Sequence, residues 1–336
     1  MRKALIVAPS WIGDTILAQP LFARLHERHP GLLLDAFAPA WTAPLLSRMR
    51  EVRRVIASPF VHGEFNLMGR WRAGRRLARE GYDAAIVLPN SWKSALPPFF
   101  AGIPRRIGFL GEARRLLLNR IHRFDAAALP QLAQRYALLA EEVGAAVPAP
   151  LAAPHLAVDA ASVGATLAAL GLSAVPAPVV FCPGAEYGPA KRWPARHFAE
   201  LGRRLAAADF PVWIVGSAKD APIGAQIEQL SGGAARNLCG RSDLGQAIDL
   251  LSCARLVVSN DSGLMHVAAA LGRPLVALYG SSSMTYTPPL SPRARLVSLG
   301  LDCSPCFKRE CPLGHFKCLN DLTPERVLGE IEEALS

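Results

Sequence analysis

The feature that most constrains this chain is a rhythm that runs twice, in which a short apolar strand is followed by a helix-length segment. Residues 4–8, 32–38 and 84–88 read as strands, and 15–28 and 67–80 as helices. A stretch rich in Ala and Pro follows, with Pro148, Pro150, Pro154, Pro176 and Pro178 around one helix near 161–170. The rhythm then restarts, with strands at 179–182, 211–215, 256–259 and 275–279. Helices are expected near 195–207, 244–253 and 262–271, and a last one at 324–335. Strands that are apolar on both faces belong to a parallel sheet covered on both sides. The expected fold is α/β, with two doubly wound Rossmann-like domains facing a central cleft, divided as 1–160 and 161–336. The 336 residues are enough for two buried cores.

Composition narrows the classes. Apolar residues make up 51% and charged residues 19%, far from the signature of disorder. The uncharged run 160–185 is broken by Gly164, Gly171, Pro176, Pro178 and Pro183, so it does not read as a membrane span. The apolar stretch 4–8 is too short for a signal-peptide core, which gives a cytoplasmic expectation. A net charge of +10 favours an anionic partner. Nothing resembles a helix-turn-helix, RRM or KH signature, so nucleic acid is not the expected one.

Ligands of doubly wound sheets sit beyond the carboxyl ends of the strands, so the segments after strands carry the chemistry. The first, 9–14, has Gly13 for a tight turn and Asp14 near a helix start, where a carboxylate is favoured. The second, 183–194, joins two glycines and three prolines to Lys191 and Arg192, a basic loop suited to a phosphate. In the third, Ser262 and Gly263 leave the first N–H groups of a helix for an anion, with Leu264, Met265 and His266 in the same turn. The fourth, 215–220, offers Lys219 to a ribose or base. No G-x-G-x-x-G follows the first strand, and no P-loop, D-x-D pair or G-x-S-x-G elbow occurs.

Five segments in this order resemble the bacterial ADP-heptose:lipopolysaccharide heptosyltransferases of glycosyltransferase family 9. They are APSWIGD, PNSWKSALPPFFAGIPRRIGF, FCPGAEYGPAKRWP, VGSAKD and NDSGLMHVAAALGRPLVALYG. The resemblance implies a GT-B fold and inverting transfer of heptose from ADP-heptose to a lipid A-Kdo2-heptose acceptor. It places the acceptor on the N-terminal domain and the donor on the C-terminal one. Asp14 then matches the catalytic base, and Lys191 the cation on the leaving diphosphate. Ser10, Gly13, Lys219, Asp261, Ser262, Gly263, Leu264, Met265 and His266 are assigned with Lys191 to the donor, and Lys93 and Arg106 to the acceptor. No cofactor is required, although Asp261 is suited to holding Mg²⁺ on the diphosphate. A paralogue with another inner-core acceptor, and a non-catalytic nucleotide-binding module, are the competing readings.

Two features stand outside that scheme. Arg70, Arg72, Arg75, Arg76 and Arg79 share an expected helix with Leu67, Trp71 and Leu77, a pattern suited to the anionic cytoplasmic surface of the inner membrane. Of seven cysteines, Cys182, Cys239 and Cys253 read as buried thiols, while Cys303, Cys306, Cys311 and Cys318 crowd near the end. Four thiolates suit a structural zinc or iron, against free or disulfide-paired thiols as the alternative. In either case the tail is expected to support the fold without entering the chemistry.

Overall fold

The computed structural model describes residues 1–60, 63–147 and 149–335; Pro148 of the proline-rich stretch lies outside them. The chain forms two compact units, Met1–Pro154 and His155–Ser336. The division falls a few residues before 160 because Leu156 is buried and its N–H donates to the Ala270 carbonyl at 3.0 Å, in the second unit.

The first unit holds strands β1 (Lys3–Val7), β2 (Leu33–Pro39), β3 (Arg54–Ser58), β4 (Ala84–Val87), β5 (Arg105–Phe109) and β6 (Arg120–His122). They form one sheet in the order β3-β2-β1-β4-β5-β6, and every pairing is parallel. The second holds β7 (Val179–Cys182), β8 (Val212–Ile214), β9 (Ala235–Asn237), β10 (Leu256–Asn260), β11 (Leu275–Leu278) and β12 (Ala294–Val297). Its order, β12-β11-β10-β7-β8-β9, is the same doubly wound topology, again parallel throughout. Apart from Lys3 at the start of β1 the central strands are buried along their whole length, as mainly apolar strands covered on both faces require. In each sheet the connections reverse direction between two neighbouring strands, β1 and β4 in one and β7 and β10 in the other. Such a switch point leaves a crevice at the carboxyl ends of the strands.

Local chemistry splits one expected helix and fixes the start of another. The segment 15–28 is split into Ile12–Leu17 and Gln19–Arg28, because Pro20 has no N–H to continue the ladder across Ala18. The helix Leu67–Ala78 starts one residue after Asn66, whose side chain accepts the Gly69 N–H at 2.9 Å.

Candidate active site

In the first unit, β1 leads directly into the helix Ile12–Leu17. Its N-cap, Trp11, is extended and gives no side-chain cap, and the Thr15 hydroxyl donates to the Trp11 carbonyl at 2.8 Å. Asp14 is the third residue of this helix and half-buried, within the turn where the helix dipole favours an anion. Ser10 and Gly13 flank it, and the Ser10 carbonyl accepts the Trp41 indole N–H at 3.2 Å. On the neighbouring strand, β4 runs into a turn at Trp92–Ala95 that carries half-buried Lys93. Asp14 and Lys93 therefore follow the two strands that flank the switch point.

A residue that sequence reading passed over shapes this end of the sheet. Arg114 is fully buried and donates to the carbonyls of Phe109 and Pro89 and to Asn90 Oδ1, tying the loops after β4 and β5 together. Its setting among charged and apolar neighbours between β5 and β6 gave no signal of burial. Arg106, assigned to the acceptor from sequence, has a different use here. Its guanidinium donates to the carbonyls of Leu117 at 2.6 Å and Ile103 at 2.7 Å and lies over the Phe99 ring, so it is committed to holding its own loop. Arg70 likewise leaves the surface cluster. It is buried, donates to the carbonyls of Phe65, Lys93 and Glu64, and stacks on Phe60. Arg72, Arg75, Arg76 and Arg79 remain exposed.

In the second unit, the loop after β7 and the turn after β10 are fastened together. Asn260, fully buried at the end of β10, donates to the Pro183 carbonyl at 2.7 Å and accepts the Trp193 N–H at 3.0 Å. One amide thus fixes both ends of the loop 183–193. Trp193 anchors the far end further, with its ring buried against Phe198 and its indole N–H donating to the Leu322 carbonyl at 2.7 Å. Between these anchors Lys191 points its ammonium to Asp261, with Nζ 2.5 Å from Oδ2. The pair keeps 18% and 6% of its side-chain surfaces in solvent. Because Lys191 already neutralises the Asp261 carboxylate, the expected use of Asp261 as a Mg²⁺ ligand loses its main support.

Asp261 leads through Ser262 into the helix Gly263–Ala270, which no side chain caps. Its first N–H groups have no partner within the helix. His266, in the first turn, is buried, and its Nδ1 has no hydrogen-bond partner among the described residues. Burial pushes its pKa down to about 4; Asp261 opposes the shift and Lys191 adds to it. His266 is therefore a neutral hydrogen-bonding group, which leaves Lys191 as the cation of this turn. The hydroxyls of Ser281 and Ser282, just beyond β11, are also buried without partners among the described residues. Lys219 lies in a short turn after β8 and pairs with Glu186 on an exposed surface.

The cysteine tail does not stand apart. Cys303, Cys306, Cys311 and Cys318 line one cavity with His315, and Ala190 and Ser281 line it too. Among the described residues no group of three or more His, Cys, Asp or Glu is arranged to hold a metal ion, so of the two readings of the four cysteines the four-thiolate centre is not formed in this arrangement. Cys311 instead accepts the Phe316 N–H on its sulfur. The tail touches the Lys191 loop directly, which nothing in its spacing announced: the Ala190 N–H donates to the Arg309 carbonyl at 3.0 Å.

This architecture is that of the GT-B glycosyltransferases. The solved structure of E. coli ADP-heptose lps heptosyltransferase II matches it with a TM-score of 0.88 and 43% identity, over 100% of this chain and 98% of that one. The model of glycosyltransferase family 9 (heptosyltransferase) matches residues 70–317, and the chain belongs to that family. The lipopolysaccharide heptosyltransferase 2 of Escherichia coli K12 is 45% identical over 99% of this chain and 98% of its own. The lipooligosaccharide heptosyltransferase 2 of Haemophilus influenzae is 44% identical over 99% of each.

Proposed function

We propose that this protein transfers heptose from ADP-L-glycero-D-manno-heptose to the heptosyl-Kdo2-lipid A inner core of lipopolysaccharide, with inversion at the anomeric carbon. The reading is carried by the Lys191–Asp261 pair at the switch point of the second sheet, in a chain 45% identical along its length to a lipopolysaccharide heptosyltransferase 2. The second unit would take the donor and the first the acceptor.

A sugar hydroxyl does not ionise unaided near neutral pH, so the acceptor oxygen needs a base as it attacks. Asp14 accepts that proton, and the oxygen bonds to the anomeric carbon as the carbon–diphosphate bond breaks on the opposite face. ADP leaves carrying more negative charge than it held in the ground state. Groups that meet that charge favour the transition state. Lys191 supplies a full positive charge, and Asp261 holds the ammonium in place while leaving two of its three N–H donors for phosphate oxygens. The uncapped N–H groups of the helix Gly263–Ala270 point at the same kind of ligand. Neutral His266 offers Nδ1 as a further hydrogen-bonding atom, which would explain a buried nitrogen without a protein partner.

The acceptor's lipid also fits a peripheral position at the cytoplasmic face of the inner membrane. No helix among the described residues is long and apolar enough to cross a membrane. The helix Leu67–Ala78 turns Met68, Trp71, Arg72, Arg75 and Arg76 to solvent, Arg79 follows, and this stretch has no acidic residue. Its exposed face suits anionic headgroups.

The test is turnover by the purified protein with ADP-heptose, scored by product mass. Heptosyl-Kdo2-lipid A should gain one heptosyl unit, and Kdo2-lipid A without heptose should gain none. Transfer to the second acceptor alone would assign the chain to a paralogous reaction.

A further inference from the structure

The segment 303–309 forms the floor under the loop that carries Lys191. It is fixed from one side to the stretch after β11, where the Phe307 N–H donates to the Ser281 carbonyl at 2.7 Å and the Ser304 hydroxyl donates to the Gly280 carbonyl. From the other side the Lys191 loop rests on it through three contacts, two of them made by Tyr187. The Tyr187 hydroxyl donates to the Phe307 carbonyl at 2.9 Å. The Ala190 N–H, one residue before Lys191, donates to the Arg309 carbonyl at 3.0 Å. The Tyr187 ring has Lys191 Nζ and the Arg309 guanidinium each 5.3 Å from its centroid. Gly188 makes the close approach possible, because a Cβ there would lie 2.5 Å from the Arg309 carbonyl oxygen.

A lysine side chain on an irregular loop has many accessible positions. Asp261 fixes the ammonium end of Lys191, but the backbone end depends on what holds residues 187–190. We infer that residues 303–309, through the Arg309 carbonyl and the Tyr187 contacts, are a positioning brace that sets where Lys191 meets the donor's diphosphate. The inference rests on the reading of Lys191 as the diphosphate's cation and adds that the cysteine-rich tail controls donor affinity. Tyr187 and Arg309 are positioning residues in this scheme, since they act through Lys191.

The test uses the full-length protein and ADP as the probe, with thermal melting to verify folding. Gly188→Ala should weaken ADP binding by about tenfold or more, because displacing a charged contact by about an ångström carries penalties of that order. It should raise the KM for ADP-heptose and leave the acceptor KM unchanged. Tyr187→Leu, which removes both the hydroxyl and the ring without crowding the backbone, should act in the same direction and carries the test if Gly188→Ala does not fold. Tyr187→Phe, which keeps the ring, should recover part of the loss. In a double-mutant cycle Lys191→Ala should cost much less in the Gly188→Ala or Tyr187→Leu background than in the wild type. Unchanged ADP binding in Tyr187→Leu, or a Lys191→Ala loss that adds in full, overturns the brace while leaving the diphosphate reading intact. Unchanged ADP binding in Lys191→Ala alone would overturn both.

Discussion

The ammonium of Lys191 lies 2.5 Å from the carboxylate of Asp261, which joins the loop after β7 to the turn after β10. Both groups are largely withdrawn from solvent, so each depends on the other for compensation of its lost hydration. Removing one partner of such a pair strands a buried charge, whereas removing both does not. Lys191→Ala should therefore lower kcat/KM for ADP-heptose by about a hundredfold or more, the scale for loss of a group that meets transition-state charge. It should also melt earlier than Lys191→Ala combined with Asp261→Ala. Steady-state kinetics and thermal melts provide both measurements, and wild-type kcat/KM in the single variant would move the diphosphate site elsewhere.

Asp14 is the group proposed above as the base for the acceptor hydroxyl. Asp14→Asn keeps the shape of the side chain at the third position of its helix and removes the basic oxygen. Turnover should fall by about 10²–10⁴-fold, as for loss of a general base. ADP affinity should stay close to wild type, because Lys191 and the helix Gly263–Ala270, the groups proposed to meet the diphosphate, belong to the second unit. Single-turnover rates and calorimetric ADP binding separate the two effects. Near-normal turnover would remove Asp14 from the role of base.

How much of this was legible without coordinates depended on the range of the interactions. The central strands were visible because burial on both faces writes an unbroken apolar run into four or five residues, and the site segments were visible because they follow those strands. Strands such as Arg120–His122 and Ala235–Asn237 were not, since three residues of mixed polarity carry no period. Arg70 was read as a surface cation and Arg106 as a contact to the acceptor, because a charge in sequence usually means solvent or an anionic ligand. Here carbonyl acceptors and aromatic faces satisfy them internally. The partnership of Asp261 with Lys191, the clamp by Asn260 and the docking of Arg309 under Ala190 link residues far apart in the chain. Local pattern contains no record of such contacts.

The remaining exposed arginines of the helix Leu67–Ala78 and its end give a surface prediction. Arg72→Glu, Arg75→Glu and Arg79→Glu together should reduce binding to vesicles containing anionic phospholipid by about a hundredfold, taking about 1 kcal/mol for each basic residue at the surface. Vesicles of neutral lipid should bind neither protein, and ADP affinity should not change. Equal binding of the triple variant and the wild type to anionic vesicles would exclude this helix as the contact surface.

His266 gives the pH prediction. Burial holds its folded pKa near 4, below the ordinary 6.5. The unfolded chain therefore takes up a proton between pH 6.5 and 4 that the folded chain refuses. Stability from this group is fully present above 6.5 and is lost as pH falls toward 4, by up to about 3 kcal/mol. His29, His122 and His197 are also depressed, mainly by burial, and add in the same direction. Urea unfolding at stepped pH should show the fall, and the His266 ring should remain neutral by NMR at pH 5. A ring that titrates near 6.5 would contradict its buried state.

Four of the seven thiols differ enough in environment to be ranked by reactivity. The Phe316 N–H, followed by those of Leu313, His315 and Gly314, holds the Cys311 thiol below its ordinary pKa, and the side chain is reachable from solvent. Cys318 is raised by burial and by the neighbouring Cys303, Cys311 and Cys306. Burial pushes Cys239 up to about 12 and raises Cys182 further. Because the thiolate is the reacting form, limiting iodoacetamide at pH 7.5 should label Cys311 first and leave Cys182 and Cys239 untouched until the chain unfolds. Peptide mapping by mass spectrometry reads the order directly. Labelling of Cys239 as early as Cys311 would contradict the ranking. Protection of all four tail thiols, with about one zinc or iron released per chain on unfolding, would instead restore the four-thiolate centre that the count of four suits.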